Sequence, residues 1–597
     1  MLDDHAANTI IMPQADKSPP SPPQWHPDTF FTRFRHRLAH VDALPQLALL
    51  GLVSGIVTGL IAVAFRLAIE WPLEFFLPAQ QSEGFESLPL EARLLLPLAG
   101  TMLLILVMRK RSKAGRQCGV GHVIERYQQH QAHLPASNAI VQFVAGTIAA
   151  VSGHSVGREG PAVHLGATCS SLLGQKLGLP NNSLRIMVGC GVAAAIAASF
   201  NTPLAGVIFA MEVVLMEYTV TGFIPIILAS VSGALVSRVC FGDAPAFSIP
   251  ALTMGSLLEL PFLIFCGIIV GLASSVVLKL HKYIQDLKTL SLTTRLFAAG
   301  VLTSIAAAFV PQVMGVGYDT VEAAMLGDLS LTLLLTIAVT KLLLSTVTIA
   351  LGVPGGSIGP ALVIGACLGG AIGIIGTSLS PENSASSGFY ATIGMGAMMA
   401  GVLNAPLAAL MALLELTYNS AILLPAMLVI VIATITARLT SRLPGLFLVG
   451  RNPESFTSPV FQSLSRAGVT SLMTRNFIAH SPRLTLDQAE VLLNQHPEWI
   501  VIEEGSDERA ILRPSDLAHH MQAMEATGRK HEAIDLLEIP GERWRLHPIH
   551  PRSTLQEALM LIREENGFAV HVTQPHTAIS SPVAGIITRD QIDNYYQ

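Results

Sequence analysis

The chain has 597 residues, 51% of them hydrophobic and 13% charged, with a mean hydropathy of +0.53. Soluble proteins carry about 25% charged residues, so the composition excludes a wholly soluble protein and predicts a polytopic membrane protein with a soluble portion. The net charge of −5 singles out no class of partner, and no nucleic-acid partner is expected.

Residues 1–40 are polar and Pro-rich and end in a basic patch, Arg33, Arg35 and Arg37. They read as a disordered tail without the charged-then-apolar order of a signal peptide. The first long apolar segment runs from about Leu44 to Ile69. A second, from about 93 to 108, ends in Arg109-Lys110-Arg111-Ser112-Lys113. Basic clusters beside spans favour the cytoplasmic side, which places the N-terminus and this cluster inside with two crossings between them. From about 138 to 442 the chain stays mostly apolar, but Gly or Pro interrupts many segments, and polar breaks near 176–185, 242–250, 279–295 and 377–388 predict loops. Short, broken apolar segments point to discontinuous helices around an ion site. Six cysteines, Cys118, Cys169, Cys190, Cys240, Cys266 and Cys367, have no metal-type spacing and read as buried thiols.

Within this region Gly157-Arg158-Glu159-Gly160-Pro161 places an arginine and a glutamate among apolar residues. Charge at membrane depth is costly unless it is paired or lines a polar path. Pro161 reads as the first turn of a helix. Bare glycine amides at a helix start beside a carboxylate can hold an anion and compete with it.

The chain then repeats itself. Gly160-Pro161-Ala162 with Gly166-Ala167 returns 199 residues later as Gly359-Pro360-Ala361 with Gly365-Ala366. Asn201-Thr202-Pro203-Leu204-Ala205 returns 203 residues later as Asn404-Ala405-Pro406-Leu407-Ala408, each followed by a matched glutamate, Glu212 and Glu415. Two related membrane halves follow, 41–250 and 251–450. After them, residues 451–597 are rich in charge and carry strand and helix patterns, such as Trp499–Ile502 and Leu555–Ile562. They read as a soluble α/β domain, itself a pair of similar units, since Ile511–Leu517 echoes Ile586–Ile592.

These motifs together resemble the CLC family of chloride channels and proton-coupled chloride exchangers over about 41–450, and the C-terminal domain resembles a CBS-domain pair. The resemblance implies an all-α polytopic fold of two inverted repeats of broken helices. It also implies a homodimer in the cell membrane (the inner membrane if bacterial), both termini cytoplasmic, chloride as ligand and no required cofactor. Glu159 corresponds to the gating glutamate, with anion-binding amides around Gly157, Arg158 and Gly160, and Arg158 adding positive potential. At the central site, Gly119-Val120-Gly121-His122-Val123 stands for a Gly-Ser-Gly-x-Pro motif, so Val120 replaces the serine and Val123 the proline. Ser357 and Ile358 supply backbone amides. No tyrosine lies between Tyr418 and Tyr595, so the central tyrosine's position falls at Leu446 or Phe447, with Phe447 favoured. The inner proton-carrying acid is replaced by Val213, which favours a voltage- or pH-gated chloride channel over the alternative, an H+/Cl− antiporter. Glu217, one turn on, could substitute as proton carrier, but an exposed helix-end carboxylate is the favoured reading. Pro161 argues for the chloride-type branch over the fluoride-exporting one. In the soluble domain, Ser515 with Asp516 and Thr588 with Asp590 are candidate contacts for an adenine nucleotide.

Two other signals stand beside this reading. Gly153-His154-Ser155-Val156-Gly157 matches the G-x-S-x-G pattern of a serine nucleophile, the basis of an intramembrane hydrolase alternative. His122 and His164 are candidates for pH modulation or satisfied polar residues.

Overall fold

In the computed structural model, the described residues are 38, 43–77, 83–243, 246–247, 252–287, 290–379, 384–450, 458–504, 508–526, 533–573 and 583–596. The predicted tail at 1–40 lies outside them apart from Leu38. The first half runs α1 (Leu44–Phe76), α2 (Leu90–Arg109), α3 (Gly119–Gln129), α4 (Ala136–Val151), α5 (Glu159–Lys176), α6 (Asn181–Phe200), α7 (Pro203–Phe209) and α8 (Val220–Phe241). The second runs α9 (Leu260–Asp286), α10 (Leu292–Phe309), α11 (Tyr318–Leu326), α12 (Leu331–Leu351), α13 (Ile358–Leu379), α14 (Ser387–Leu403), α15 (Pro406–Thr417) and α16 (Leu423–Ser441). Helices α9–α16 repeat α1–α8 one for one. Each half packs in the same way: α5 on α6 and α1 on α8, then α13 on α14 and α9 on α16.

Among the described residues, nine helices are long and apolar enough to cross a membrane, while α4, α7, α14 and α15 are shorter apolar helices. The protein is therefore a multi-pass membrane protein. The helix ends follow from the repeated motif. Asn201 (φ 59°) and Asn404 (φ 57°) take the left-handed conformation that ends α6 and α14, one of the few non-glycine types that do so readily. Pro203 and Pro406 then open α7 and α15, where a missing N–H costs nothing. Two sequence boundaries differ. Helix α1 continues through Pro72 to Phe76, and α9 continues to Asp286, so much of the loop expected at 279–295 is helix. Both extensions add whole turns to long helices already formed, and propagating an existing helix costs far less than nucleating one.

Equivalent elements of the two halves meet each other. Helix α2 packs on α10, and α7 on α15. Glu212 accepts from the Leu407 and Ala408 amides at 3.2 and 2.7 Å, and Glu415 accepts from Leu204 and Ala205 at 2.9 and 2.8 Å. Each matched glutamate thus caps the helix opened by the other half's proline. This reciprocity is the signature of a pseudo-twofold axis.

The chain forms two compact units, the larger built on Phe34–Leu472 with Pro551–Met560 and Ile592–Gln597, the smaller on Met473–His550 with Leu561–Gln591. The larger includes α17 (Pro459–Arg466), so the membrane unit extends past residue 450. Further along the chain come β1 (Phe477–His480), β2 (Arg483–Leu484), α18 (Leu486–Asn494), β3 (Trp499–Glu504), β4 (Glu508–Leu512), α19 (Pro514–Ala526) and β5 (Ile534–Asp535). They are followed by β6 (Trp544–Ile549), α20 (Leu555–Glu564), β7 (Ala569–Thr573), β8 (Val583–Thr588) and α21 (Arg589–Tyr595). The main sheet has the order β1-β3-β4-β6-β7-β8. Strand β1 pairs parallel with β3 and β3 antiparallel with β4. The pattern recurs when β6 pairs parallel with β7 and β7 antiparallel with β8. The domain is a duplicated β-α-β-β-α unit.

Candidate functional site

The loop between α4 and α5 meets its counterpart between α12 and α13. Gly157 donates to the Gly356 carbonyl at 2.7 Å, and Gly356 donates to the Gly157 carbonyl at 2.6 Å. The approach demands glycine. A Cβ on Gly356 would stand 2.7 Å from the Gly160 nitrogen, and a Cβ on Gly160 would stand 2.7 Å from the Gly356 Cα. The bridge corrects one sequence expectation. The Gly157 amide is committed to Gly356 and does not face an anion. The first-turn amides of α5 and α13, from Gly160 and Ile358, have no partner within their helices because no residue precedes them by four within the helix.

Glu159 opens α5 and is fully buried. Its carboxylate lies against the glycine bridge, 2.6 Å from where a Gly157 Cβ would be and 3.3 Å from where a Gly359 Cβ would be. Oε1 accepts a hydrogen bond from the Tyr318 hydroxyl, and Oε2 has no hydrogen-bond partner. Arg158 Nε stands 3.8 Å from Glu159 Oε1, but the shorter ion pair of Arg158 is with Glu70 at 2.7 Å, which Arg66 also holds at 2.8 Å. Arg158 is thus anchored to α1 and is not simply the counter-ion of Glu159.

A cavity of about 470 Å³ is lined by Val120, His122, Gly160, Ser357 and Phe447. The structure therefore brings together the first motif, the start of α5, the loop before α13 and the turn after α16. Val120 and Phe447 stand on this wall without hydroxyls. Ser357 Oγ has no hydrogen-bond partner and is nearly buried. Val213 is buried in the π-helical turn after α7. Glu217 accepts from Tyr127 Oη at 3.2 Å and pairs with Arg466 at 3.3 Å.

Sequence reading missed Tyr318 and Glu70. Glu70 was legible as one of two carboxylates, with Glu74, at the end of the apolar run of α1. Tyr318 gave no signal, because its partner is 159 residues away in the chain.

The hydrolase motif does not assemble. His154 is engaged by Thr101 at 3.1 Å and Thr303 at 3.3 Å, and among the described residues no base is hydrogen-bonded to Ser155 Oγ. The His122 and His164 rings lie tilted by 31° with centroids 5.3 Å apart. His122 Nδ1 lies 3.1 Å from the Gln117 carbonyl, and neither His164 nitrogen has a partner.

In the smaller unit, Ser515 and Asp516 begin α19, and Thr588 and Asp590 sit at the matched start of α21. The Thr588 hydroxyl accepts from the Gln591 amide at 3.3 Å, capping the helix.

Comparison with known proteins agrees with this geometry. The family described as voltage gated chloride channel matches residues 98–438. A ClcB-like chloride channel protein of Ralstonia nicotianae is 30% identical over 406 residues, covering 66% of this chain and 94% of its own. The H(+)/Cl(−) exchange transporter ClcA of Salmonella arizonae is 27% identical over 423 residues, covering 68% and 88%. Among solved structures, a slow cyanobacterial Cl−/H+ antiporter superposes with a TM-score of 0.58 at 22% identity, covering 66% of this chain and 94% of its own. A eukaryotic CLC transporter superposes with a TM-score of 0.57 at 17% identity, covering 91% and 97%, so the fold correspondence reaches beyond the membrane helices. The chain belongs to the voltage-gated chloride channel family, the CLC family, and has its fold of helical halves followed by an α/β sheet domain.

Proposed function

We propose that this CLC-family chloride transport protein exchanges chloride for protons, with Glu159 as the gate that both ions use. The observation that carries the reading is the Glu159 carboxylate, buried at the bridge between the halves while its neighbour Gly160 lines the cavity. An ionised carboxylate there takes an anion's place among helix-start amides, and a protonated one has no such attraction. Gly160, Ser357 and Ile358 would offer amides to the anion, with Val120 and Phe447 as apolar wall and Arg158 adding positive potential near the path. Exchange, rather than the channel favoured by Val213, is supported by the relatives named as exchangers and antiporters.

Reconstituted liposomes with imposed chloride and pH gradients test the proposal. A reversal potential that shifts with the pH gradient is the expected outcome. A potential set by chloride alone would instead establish the channel reading that Val213 supports. Glu159→Gln is expected to remove the pH dependence of flux while flux persists.

The same reading places the protein as a homodimer, in the inner membrane if bacterial, with both termini cytoplasmic. The duplicated sheet domain is proposed as a regulatory CBS-like pair. Ser515–Asp516 and Thr588–Asp590, at the matched helix starts, would contact adenine nucleotide. A rise in the unfolding midpoint with AMP or ATP checks that assignment.

A further inference from the structure

We propose that Tyr318 is the latch of the anion path, a positioning residue whose phenol holds the Glu159 carboxylate in its closed place. The inference rests on Glu159 being the gate. The Tyr318 hydroxyl donates to Glu159 Oε1, the protein hydrogen bond that side-chain oxygen receives from outside its own helix, while Oε2 has no partner.

The half-buried phenol is held by several contacts. Tyr318 opens α11, and its backbone amide donates to the Glu83 carboxylate of the first half. Its ring packs against Phe200 and Phe247 with centroids 6.0 and 5.9 Å away, and the Arg158 guanidinium lies 5.4 Å from the ring centre. The loop that presents it turns through Gly315 (φ 59°) and Gly317 (φ 86°). That loop is clamped by fully buried Lys341, which donates to the Val313 and Gly315 carbonyls at 3.3 and 3.2 Å. A fixed donor facing a carboxylate on a rotatable side chain defines which of the two moves.

The charged and titratable groups facing Glu159 are few. Arg158 on its own element is engaged with Glu70, Tyr318 comes from α11, and Glu83 stands behind Tyr318. Helix α13 contributes neutral Ser357 and Ile358 at its start. The Tyr318 bond is charge-assisted when Glu159 is ionised and loses that assistance when it is protonated. The latch therefore favours the closed, ionised gate and releases the protonated one. It comes from the second half, so the gate of the first half is locked across the pseudo-twofold axis.

The test is chloride efflux from liposomes containing the full chain, measured across pH for the wild type, Tyr318→Phe, Glu159→Gln and the double variant. Loss of one hydrogen bond to a charged acceptor predicts about a tenfold rise in Tyr318→Phe flux at pH near 7.5, with a flattened pH profile. The double variant is expected to match Glu159→Gln within about twofold, because the latch has nothing left to hold. A Tyr318→Phe protein with the wild-type pH profile, beside a Glu159→Gln protein that has lost it, overturns the latch and leaves the gate standing. A change of the same size in the Glu159→Gln background also overturns it, showing that Tyr318 serves the pore or the fold. Wild-type pH dependence in Glu159→Gln overturns both the gate and the latch.

Discussion

Glu212 and Glu415 cap each other's halves: the carboxylate of the first accepts from the Ala408 amide at 2.7 Å, and that of the second from the Ala205 amide at 2.8 Å. The two contacts are the same contact seen from either side of the pseudo-twofold axis. They fasten α7 to the end of α15, and α15 to the end of α7.

Each cap satisfies helix-start amides with a carboxylate, an arrangement that favours negative charge at the positive end of the helix. Glu212→Ala and Glu415→Ala are each expected to destabilise the membrane unit by roughly 1–2 kcal/mol, to similar degrees. Thermal unfolding of the purified protein in detergent measures this. A midpoint lowered by one substitution and untouched by the other would break the symmetry argument.

Val120 and Phe447 face the cavity without hydroxyls. Supplying one at either place adds a donor to the anion, worth about 1 kcal/mol net, or about fivefold in Kd. Val120→Ser and Phe447→Tyr are each expected to tighten calorimetric chloride binding by about that factor. An unchanged Kd in both would place the anion elsewhere along the cavity.

Glu217 is held by Tyr127 and Arg466. Both contacts fix the carboxylate in one place, which makes it a poor carrier between two proton partners. Glu217→Gln is expected to leave the proton-to-chloride ratio in liposomes unchanged. A ratio that falls severalfold would make Glu217 the inner proton donor despite its ion pair.

In the smaller unit, His571 is almost fully buried on β7, and its Nε2 lies 3.1 Å from Arg509. A guanidinium only donates, so this nitrogen accepts and the ring is neutral. Burial first, and the Arg509 charge second, push the imidazole down from 6.5 to about 4. A base depressed in the folded state contributes stability that is complete above about pH 6.5 and is lost as pH falls toward 4. The loss is on the order of 3 kcal/mol. Hydrogen-exchange protection of the β7 amides in the full-length protein is expected to drop between pH 7 and 5, and His571→Gln to remove most of that drop. Equal protection at both pH values would show that His571 does not titrate in this window.

Much of the site was legible without coordinates. Gly157–Pro161 marks the start of α5 because glycine, charge and proline within an apolar run have few other uses in a membrane. The Asn-x-Pro pair marks two helix junctions because asparagine tolerates the left-handed turn and proline opens the next helix. The reach of α1 through Pro72 was not legible, because a proline reads locally as a stop while the long helix already formed before it propagates past it.

By itself, the sequence determined the family, the two repeated halves and the position of Glu159. All of these are local patterns or fixed offsets along the chain. Only the tertiary structure decided which groups meet: Gly157 spends its amide on Gly356, Arg158 turns to Glu70, Glu217 is tied to Arg466, and Tyr318 reaches Glu159. These pairings join residues far apart in the chain, brought together by the symmetric packing of the two halves. No local spacing encodes such contacts, because the distance that matters to a hydrogen bond is measured across the fold.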